Sequence, residues 1–533
     1  MNLKFINFNP IGLWRWRMFG LTKVESSLLK CAFVLRSVFA LIISFSSVLP
    51  DHAADAFKPP EEPYAGWVDK ITRITFQGFC KWDCIYFTFI ANYGYIFENS
   101  LVFLPGFPML LGLLGRLALR VSAHSLSLSS SILLCGFLSN FVLNLASTVF
   151  LYRLGVMILG SVKVSFLASL LFCCNPATVF FSSLYSESLF FFFTISGLYF
   201  MYVNRILLSS LLIAFSVMCR SNGLLNIGYL GYFMVVRSNF RVLIWIDEVH
   251  KTRKSFISFL ILSIKWWVNV VVFFMPRLVL LFLCSLPFLL YQTYGYFLYC
   301  SRVQSSHTVF PSKIPVPLLT YGLDHGFSIP VRLTNGSSSS HLPVWCSFAP
   351  PFSYSYIQKS QWNVGLWGYY QLRQIPNFIL SLPVVTLCFI CAIVFYRRAP
   401  KAYRTFGLCA ECEMDRIMVP YVFHMLFLCS YGVLHINVQV LTRMIFSSCP
   451  VIYWFCAYLL CETLPNFEPL IMNKHNNNSL FNIKFELYHY LVDIYKALNP
   501  FQYHLVKHRI ILCYFLGYAI IGCILHPNFL PWT

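Results

Sequence analysis

The sequence predicts an all-α protein that crosses a membrane many times, as a single bundle of about 8–12 transmembrane helices with a long lumenal first loop. Three observations lead there: a composition too apolar for solution, apolar runs of bilayer length, and basic residues gathered in loops. Hydrophobic side chains make up 58% of the 533 residues and charged ones 11%, with a mean hydropathy of +0.67. A soluble chain is about one-quarter charged, because polar surface must cover its core. This chain lacks that surface. The net charge of +20 would suggest a nucleic-acid partner in a soluble protein. In a multi-pass protein cations accumulate in cytoplasmic loops instead, so nucleic acid is not expected and the bilayer is the first partner.

The head, residues 1–26, carries Lys4, Arg15, Arg17 and Lys23 and is expected in the cytosol. The apolar run Ser27 to Pro50 follows. It is too long for a typical signal-peptide core and is read as an uncleaved anchor, despite a cleavage-like Ala54-Asp55-Ala56. From there residues 27–533 form one integral-membrane domain. Further spans are expected at roughly 130–152, 164–181, 184–203, 206–220, 222–236, 266–297, 377–396, 419–436, 439–461 and 509–527. Breaks are expected at Asn175-Pro176 and Ser221-Asn222-Gly223, since proline and glycine weaken helices.

Loop charge tests this threading. Arg237, Arg241, Lys251, Arg253 and Lys254 crowd one loop; Arg397, Arg398, Lys401 and Arg404 crowd another. Eleven spans from a cytosolic head place loops 237–265, 397–418 and 462–508 in the cytosol, as the positive-inside rule requires. Loops 50–129 and 298–376 are then lumenal. The first holds Asp51, Asp55, Glu61, Glu62, Asp69, Asp83 and Glu98. The sequon at Asn335 would face the lumen; the one at Asn477 would not.

Chemistry is sought among ionisable residues at membrane depth or beside it. Asp83, in Lys81-Trp82-Asp83-Cys84, suits a general base acting on a sugar hydroxyl, with Trp82 as a face for the sugar ring. The plainer reading makes Asp83 a cap for the helix that follows. Glu187, Arg220 and Arg443 lie among apolar runs. Arginine matches a phosphate with a planar fork of donors, and charge grows on a phosphate as a sugar leaves it. Snorkelling, or a plain Glu187–Arg220 pair, is the structural alternative. His424 and His435 lack a third ligand and are expected to be structural. No metal motif is seen. Most of the 20 cysteines are expected to be inert packing residues. Cys80 and Cys84 flank Trp82-Asp83 and stand about one turn apart, an awkward spacing for a disulfide.

At these residues the chain resembles the PIG-V family, the second mannosyltransferase of GPI-anchor biosynthesis. The matching stretches include Pro50 to Phe57, Gly66-Trp67-Val68-Asp69, Trp82-Asp83, Phe103 to Pro108, Asn175-Pro176-Ala177 and Tyr185 to Ser188. They continue through Arg220 to Leu224, Tyr354 to Gln358, Trp362 to Gly365, Gln374 to Phe378, Val438 to Arg443, Tyr453-Trp454-Phe455 and the tail Asn528 to Thr533. The resemblance implies a GT-C type bundle in the endoplasmic reticulum membrane with its active site facing the lumen. It implies dolichyl-phosphate mannose as donor, a GPI precursor glycolipid as acceptor, α-1,6 linkage with inversion, and no cofactor or required metal. It also admits a small membrane accessory subunit. The family's base falls on Asp83. Candidate substrate contacts, each within a matching stretch, are Trp82, Asp69, Glu187, Arg220, Asn222, Trp362, Asn363, Gln439 and Arg443. The nearest alternative is another dolichyl-phosphate-sugar transferase. A transporter or scramblase, or a noncatalytic subunit, is the alternative from another class.

Overall fold

The computed structural model describes residues 20–237, 256–301, 314–330, 342–462 and 492–532, apart from positions 55, 61, 123, 124, 493, 504 and 531. The sequons at Asn335 and Asn477, the basic run Arg241 to Lys254 and most of the loop 462–508 lie outside the described residues. The described residues contain helices and no strand. In chain order these are α1 (Lys23–Ser46), α2 (Trp67–Phe76), α3 (Asp83–Tyr93), α4 (Gly106–Val121), α5 (Leu128–Leu159), α6 (Val162–Cys173), α7 (Thr178–Ser182), α8 (Glu187–Tyr202), α9 (Ile206–Cys219) and α10 (Gly223–Arg237). There follow α11 (Phe256–Tyr299), α12 (Val316–Asp324), α13 (Ser353–Trp362), α14 (Ile375–Arg398), α15 (Pro400–Arg404), α16 (Glu413–His435), α17 (Leu441–Ser448), α18 (Pro450–Glu462) and α19 (Val506–Leu525).

The eleven expected spans are helical over most of their lengths, but they are not eleven equal crossings. Among the described residues, six helices are long and apolar enough to cross a membrane: α1, α5, the second part of α11, α14, α16 and α19. The expected span 439–461 is instead two helices, α17 and α18, bent by 77°. Helices α6, α8, α9 and α10 are apolar but short. The 12 residues of α6 rise only about 18 Å, against a hydrocarbon core of about 30 Å. Although α9 leaves Leu207, Leu208 and Leu211 exposed, α6 and α8 pack inside the protein, where neighbours satisfy their ends.

The break after α6 shows how. Pro176 has no N–H to offer the Phe172 carbonyl four residues back. Asn175 Nδ2 donates to that carbonyl at 2.7 Å and Arg36 Nη2 at 3.1 Å. Arg36 is fully buried midway along α1, its guanidinium over the rings of Phe172 and Phe181 at 5.2 and 5.7 Å. A cation at the C-terminal end of α6 also answers the helix dipole. The start of α1 is a capping box: Thr22 and Glu25 exchange bonds between side chain and backbone.

The bundle has two unlike ends. One gathers Glu25–Arg153 at 2.5 Å, Arg398–Asp415 at 3.0 Å and Lys401–Glu411 at 2.9 Å. The other joins the two long loops expected to share a side. Phe57 stacks on Tyr86 at 4.2 Å and meets Tyr321 edge-on at 5.9 Å. Fully buried Trp345 donates to Glu98 at 2.7 Å, and Gly365 N–H donates to the His435 carbonyl at 3.0 Å. Helix α2 lies at this end with Trp67, Ile71 and Ile74 exposed, the pattern of a helix resting in a bilayer interface.

Two disulfides are formed, Cys80–Cys84 and Cys300–Cys346. The first overrides the expectation from spacing: the chain leaves helical geometry between the two residues, which brings their Cα atoms to 5.1 Å. The second went unanticipated. The expectation that the chain has no C-x-x-C pair is wrong: Cys388/Cys391 and Cys409/Cys412 are such pairs, all free thiols. Cys300–Cys346 closes a loop of 46 residues, which in the chain-entropy account is worth about 4 kcal/mol. Changing both to serine should lower the melting temperature and expose the segment to protease. Unchanged melting and digestion would show that Trp345 and its neighbours hold it alone.

Candidate functional site

The site forms at the loop-rich end. A short turn, Gln77–Phe79, leads into Lys81-Trp82 and then α3. Trp82 has a φ of 56°, a left-handed conformation uncommon for a residue with a side chain. It turns the chain so that Asp83 opens α3 as its first residue. The helix cap is Trp82, with no side-chain capping bond, so Asp83 does not cap. Its Oδ2 accepts from Arg443 Nη2 at 2.7 Å, across 360 residues of sequence. Its Oδ1 has no protein donor among the described residues, and the side chain stays 30% exposed. One oxygen is anchored and the other is open.

Arg443 comes from α17, which the 77° bend directs into the bundle. Its guanidinium lies over Phe180 at 5.2 Å and Tyr185 at 5.7 Å, and its Nε is 3.8 Å from Glu187 Oε1. Glu187 is fully buried as the first residue of α8 and forms an ion pair with Arg220. Asp83, Arg443, Glu187 and Arg220 thus form a row of alternating charge, most deeply buried at Glu187. Arg220 ends α9 at the Ser221-Asn222-Gly223 turn, where Ser221 bonds the Tyr354 hydroxyl at 2.7 Å and Asn222 donates to Ser448 at 2.9 Å. That turn ties α9 to α13 and α17.

The other candidates fall around this row at varying remove. Trp362 meets Tyr86 at 6.5 Å and Phe103 at 6.2 Å, and Tyr86 lies three residues beyond Asp83, so an aromatic wall adjoins the carboxylate. Asn363 has a φ of 51° and donates to the Gly368 carbonyl at 2.9 Å, which shapes the turn after α13. Gln439 is half-buried on the single turn leading into α17. His424 stacks on Tyr229 at 4.7 Å in the bundle. No three His, Cys, Asp or Glu side chains gather as a metal site would require, among the described residues.

Asp69 makes its contacts elsewhere. Buried on α2, it accepts from Ala65 N–H at 3.1 Å and Ser127 N–H at 2.8 Å, and pairs with Arg73. It fastens α2 to the start of α5. Burial raises its pKa, but hydrogen bonds from Ser130, Ser127 and Ala65 outweigh that and bring it from 3.8 down to about 2. A depressed carboxylate pKa stabilises the fold above the unfolded value, and that contribution is lost as pH falls through the folded one. Asp69→Asn should therefore melt earlier than wild type at pH 7, with the gap narrowing from pH 4 towards 2. A gap independent of pH would remove the charge from the account.

Sequence reasoning passed over Lys81, Asp51, Tyr185, His526 and Phe529. Lys81 Nζ binds Asp51 at 2.7 Å. The Tyr185 hydroxyl donates to the Lys81 carbonyl at 3.0 Å and meets His526 Nε2 at 3.0 Å. Phe529 packs edge-on to Trp82 at 5.7 Å. The available signal was an aromatic and polar cluster just after the last apolar run.

The profile of the family described as Mannosyltransferase (PIG-V) matches residues 24–533. GPI alpha-1,6-mannosyltransferase 2 of Rattus norvegicus is 35% identical over 92% of this chain and 94% of its own length. The Homo sapiens protein of the same name is 34% identical with the same coverage. GPI mannosyltransferase 2 of Drosophila melanogaster is 29% identical over 82% and 92%. Among solved structures, the archaeal oligosaccharyltransferase AglB from Archaeoglobus fulgidus covers 92% of this chain and 56% of its own at 11% identity, with a TM-score of 0.39. That likeness is too distant to specify a fold.

Proposed function

The chain belongs to the PIG-V mannosyltransferase family, and from that premise we propose that it adds the second mannose of the GPI-anchor precursor in α-1,6 linkage. It is a multi-pass membrane glycosyltransferase. The donor is dolichyl-phosphate mannose, the acceptor a GPI glycolipid holding one mannose, and the reaction faces the lumen of the endoplasmic reticulum.

The observation that best supports this reading is the half-anchored, partly exposed Asp83 carboxylate, beside Arg443 and an aromatic wall. Asp83 Oδ1 takes the proton from the 6-hydroxyl of the first mannose. The oxygen attacks the anomeric carbon from the face opposite the phosphate, and the bond from that carbon to the phosphate oxygen breaks. The electron pair leaves with dolichyl phosphate, which departs as a stable anion without needing a proton. One carboxylate therefore suffices, unlike in inverting hydrolases. Arg443 and Arg220 meet the charge that grows on the phosphate. A guanidinium has five donors, so an arginine bound to a carboxylate keeps others for a phosphate.

Expression in cells lacking the second GPI mannosyltransferase tests the reading. Surface GPI-anchored protein should return, and the intermediate stalled at one mannose should disappear. An intermediate stalled at a different step would assign another acceptor.

A further inference from the structure

The turn that follows the last helix lies against the catalytic loop rather than trailing into solvent. His526, Asn528 and Phe529 are all at least nine-tenths buried. Each reaches a different part of Lys81-Trp82-Asp83 or of the chain that supports it. The Phe529 ring meets the Trp82 ring edge-on at 5.7 Å and carries two ammonium groups near it, Lys81 Nζ at 4.7 Å and Lys58 Nζ at 4.8 Å from its centre. His526 Nε2 meets the Tyr185 hydroxyl, which itself donates to the Lys81 carbonyl. The Asn528 carbonyl accepts from His52 N–H at 2.9 Å, beside the Asp51 that pairs with Lys81. Phe529 is itself left-handed, with a φ of 57°, so the ring is aimed by a turn as particular as that at Trp82.

We infer that this C-terminal turn, His526–Phe529, is a strap that positions the catalytic base, with Phe529 and His526 as positioning residues acting through Trp82 and Lys81. The inference rests on the reading of Asp83 as the base. The physical need is plain. Trp82 occupies an unfavourable conformation that persists only where surroundings over-determine it. If it relaxed, the start of α3 would turn and Asp83 would leave the hydroxyl it must reach. A displacement of about 1 Å at a reacting group can cost about 100-fold in rate. The disulfide Cys80–Cys84 brackets the same turn from the chain itself, while the strap holds it from outside. Phe529 does so through its aromatic ring, since two cations lie over it and the Trp82 ring packs against it at a steep angle.

The test compares Phe529→Leu, which keeps apolar bulk but loses the ring, with Phe529→Tyr, which keeps the ring. Both are made in the full chain, purified in detergent and assayed with dolichyl-phosphate mannose and the one-mannose acceptor. Phe529→Leu should lower kcat by about tenfold or more, with KM for the donor within about twofold, and Phe529→Tyr should restore most of kcat. Tyr185→Phe, which deletes only the hydroxyl between His526 and Lys81, should lower kcat by about threefold to tenfold. This second variant decides the matter if Phe529→Leu does not fold. Wild-type kcat in the leucine variant, or in Tyr185→Phe should that protein fail to fold, overturns the strap. An equal loss in the leucine and tyrosine variants also overturns it. Asp83→Asn is assayed alongside: an active Asp83→Asn defeats the reading of the base, whereas an inactive one beside a fully active Phe529→Leu defeats the strap alone.

Discussion

Asp83→Asn is expected to lower turnover by about 10² to 10⁴-fold, the range that loss of a general base produces, while the protein still accumulates and melts close to wild type. The asparagine amide fills the same space, and its oxygen can still accept from Arg443, now 2.7 Å from Oδ2. It cannot take a proton. Stability should change only modestly, because the side chain is 30% exposed and Arg443 keeps both the asparagine oxygen as an acceptor and the Glu187 carboxylate nearby. The measurement is kcat with purified protein, alongside rescue of surface GPI-anchored protein at matched expression. Turnover within a few-fold of wild type would remove Asp83 from the chemistry.

Arg443 carries the second large effect, and here stability and activity should fall together. Its guanidinium bonds Asp83, approaches Glu187 and lies over two aromatic rings. Arg443→Met fills similar volume but strips the row of one of its two cations. Breaking a buried pair costs about 3–5 kcal/mol; Glu187 keeps Arg220, so the loss should lie towards the lower end. Arg443→Lys separates the two roles. It keeps the charge, but a single ammonium cannot reproduce a planar fork spanning two carboxylates. Arg443→Lys should melt near wild type yet turn over about 10- to 100-fold more slowly. Wild-type turnover in that variant would mean that charge alone, and not its geometry, is required.

The parts of the site that were legible in the sequence were those where a residue type is costly in its setting. Glu187, Arg220 and Arg443 stand out among apolar neighbours, since an ionisable group at membrane depth needs a reason. Asp83 stands out beside tryptophan at the edge of an apolar run. Arg36 met the same criterion and was missed, because a single charge hardly lowers the hydropathy of a 24-residue helix. The breaks at Pro176 and at Ser221 to Gly223 could be read because backbone chemistry there is local. The bend at Cys449-Pro450 was less readable, since proline is well tolerated in a helix's first turn and α18 begins on it.

What the sequence determined by itself is the solvent of this protein and the order of its apolar helices. Both follow from sums over many side chains, each contributing independently of distant partners. Partnership was decided only by the tertiary structure. It brings Arg443 to Asp83 across 360 residues and separates Asp69 into a clamp between α2 and α5. It also presses Phe529 against Trp82. Such contacts depend on where helices end and how they cross, which is set by the packing of the whole bundle; no spacing along the chain encodes them.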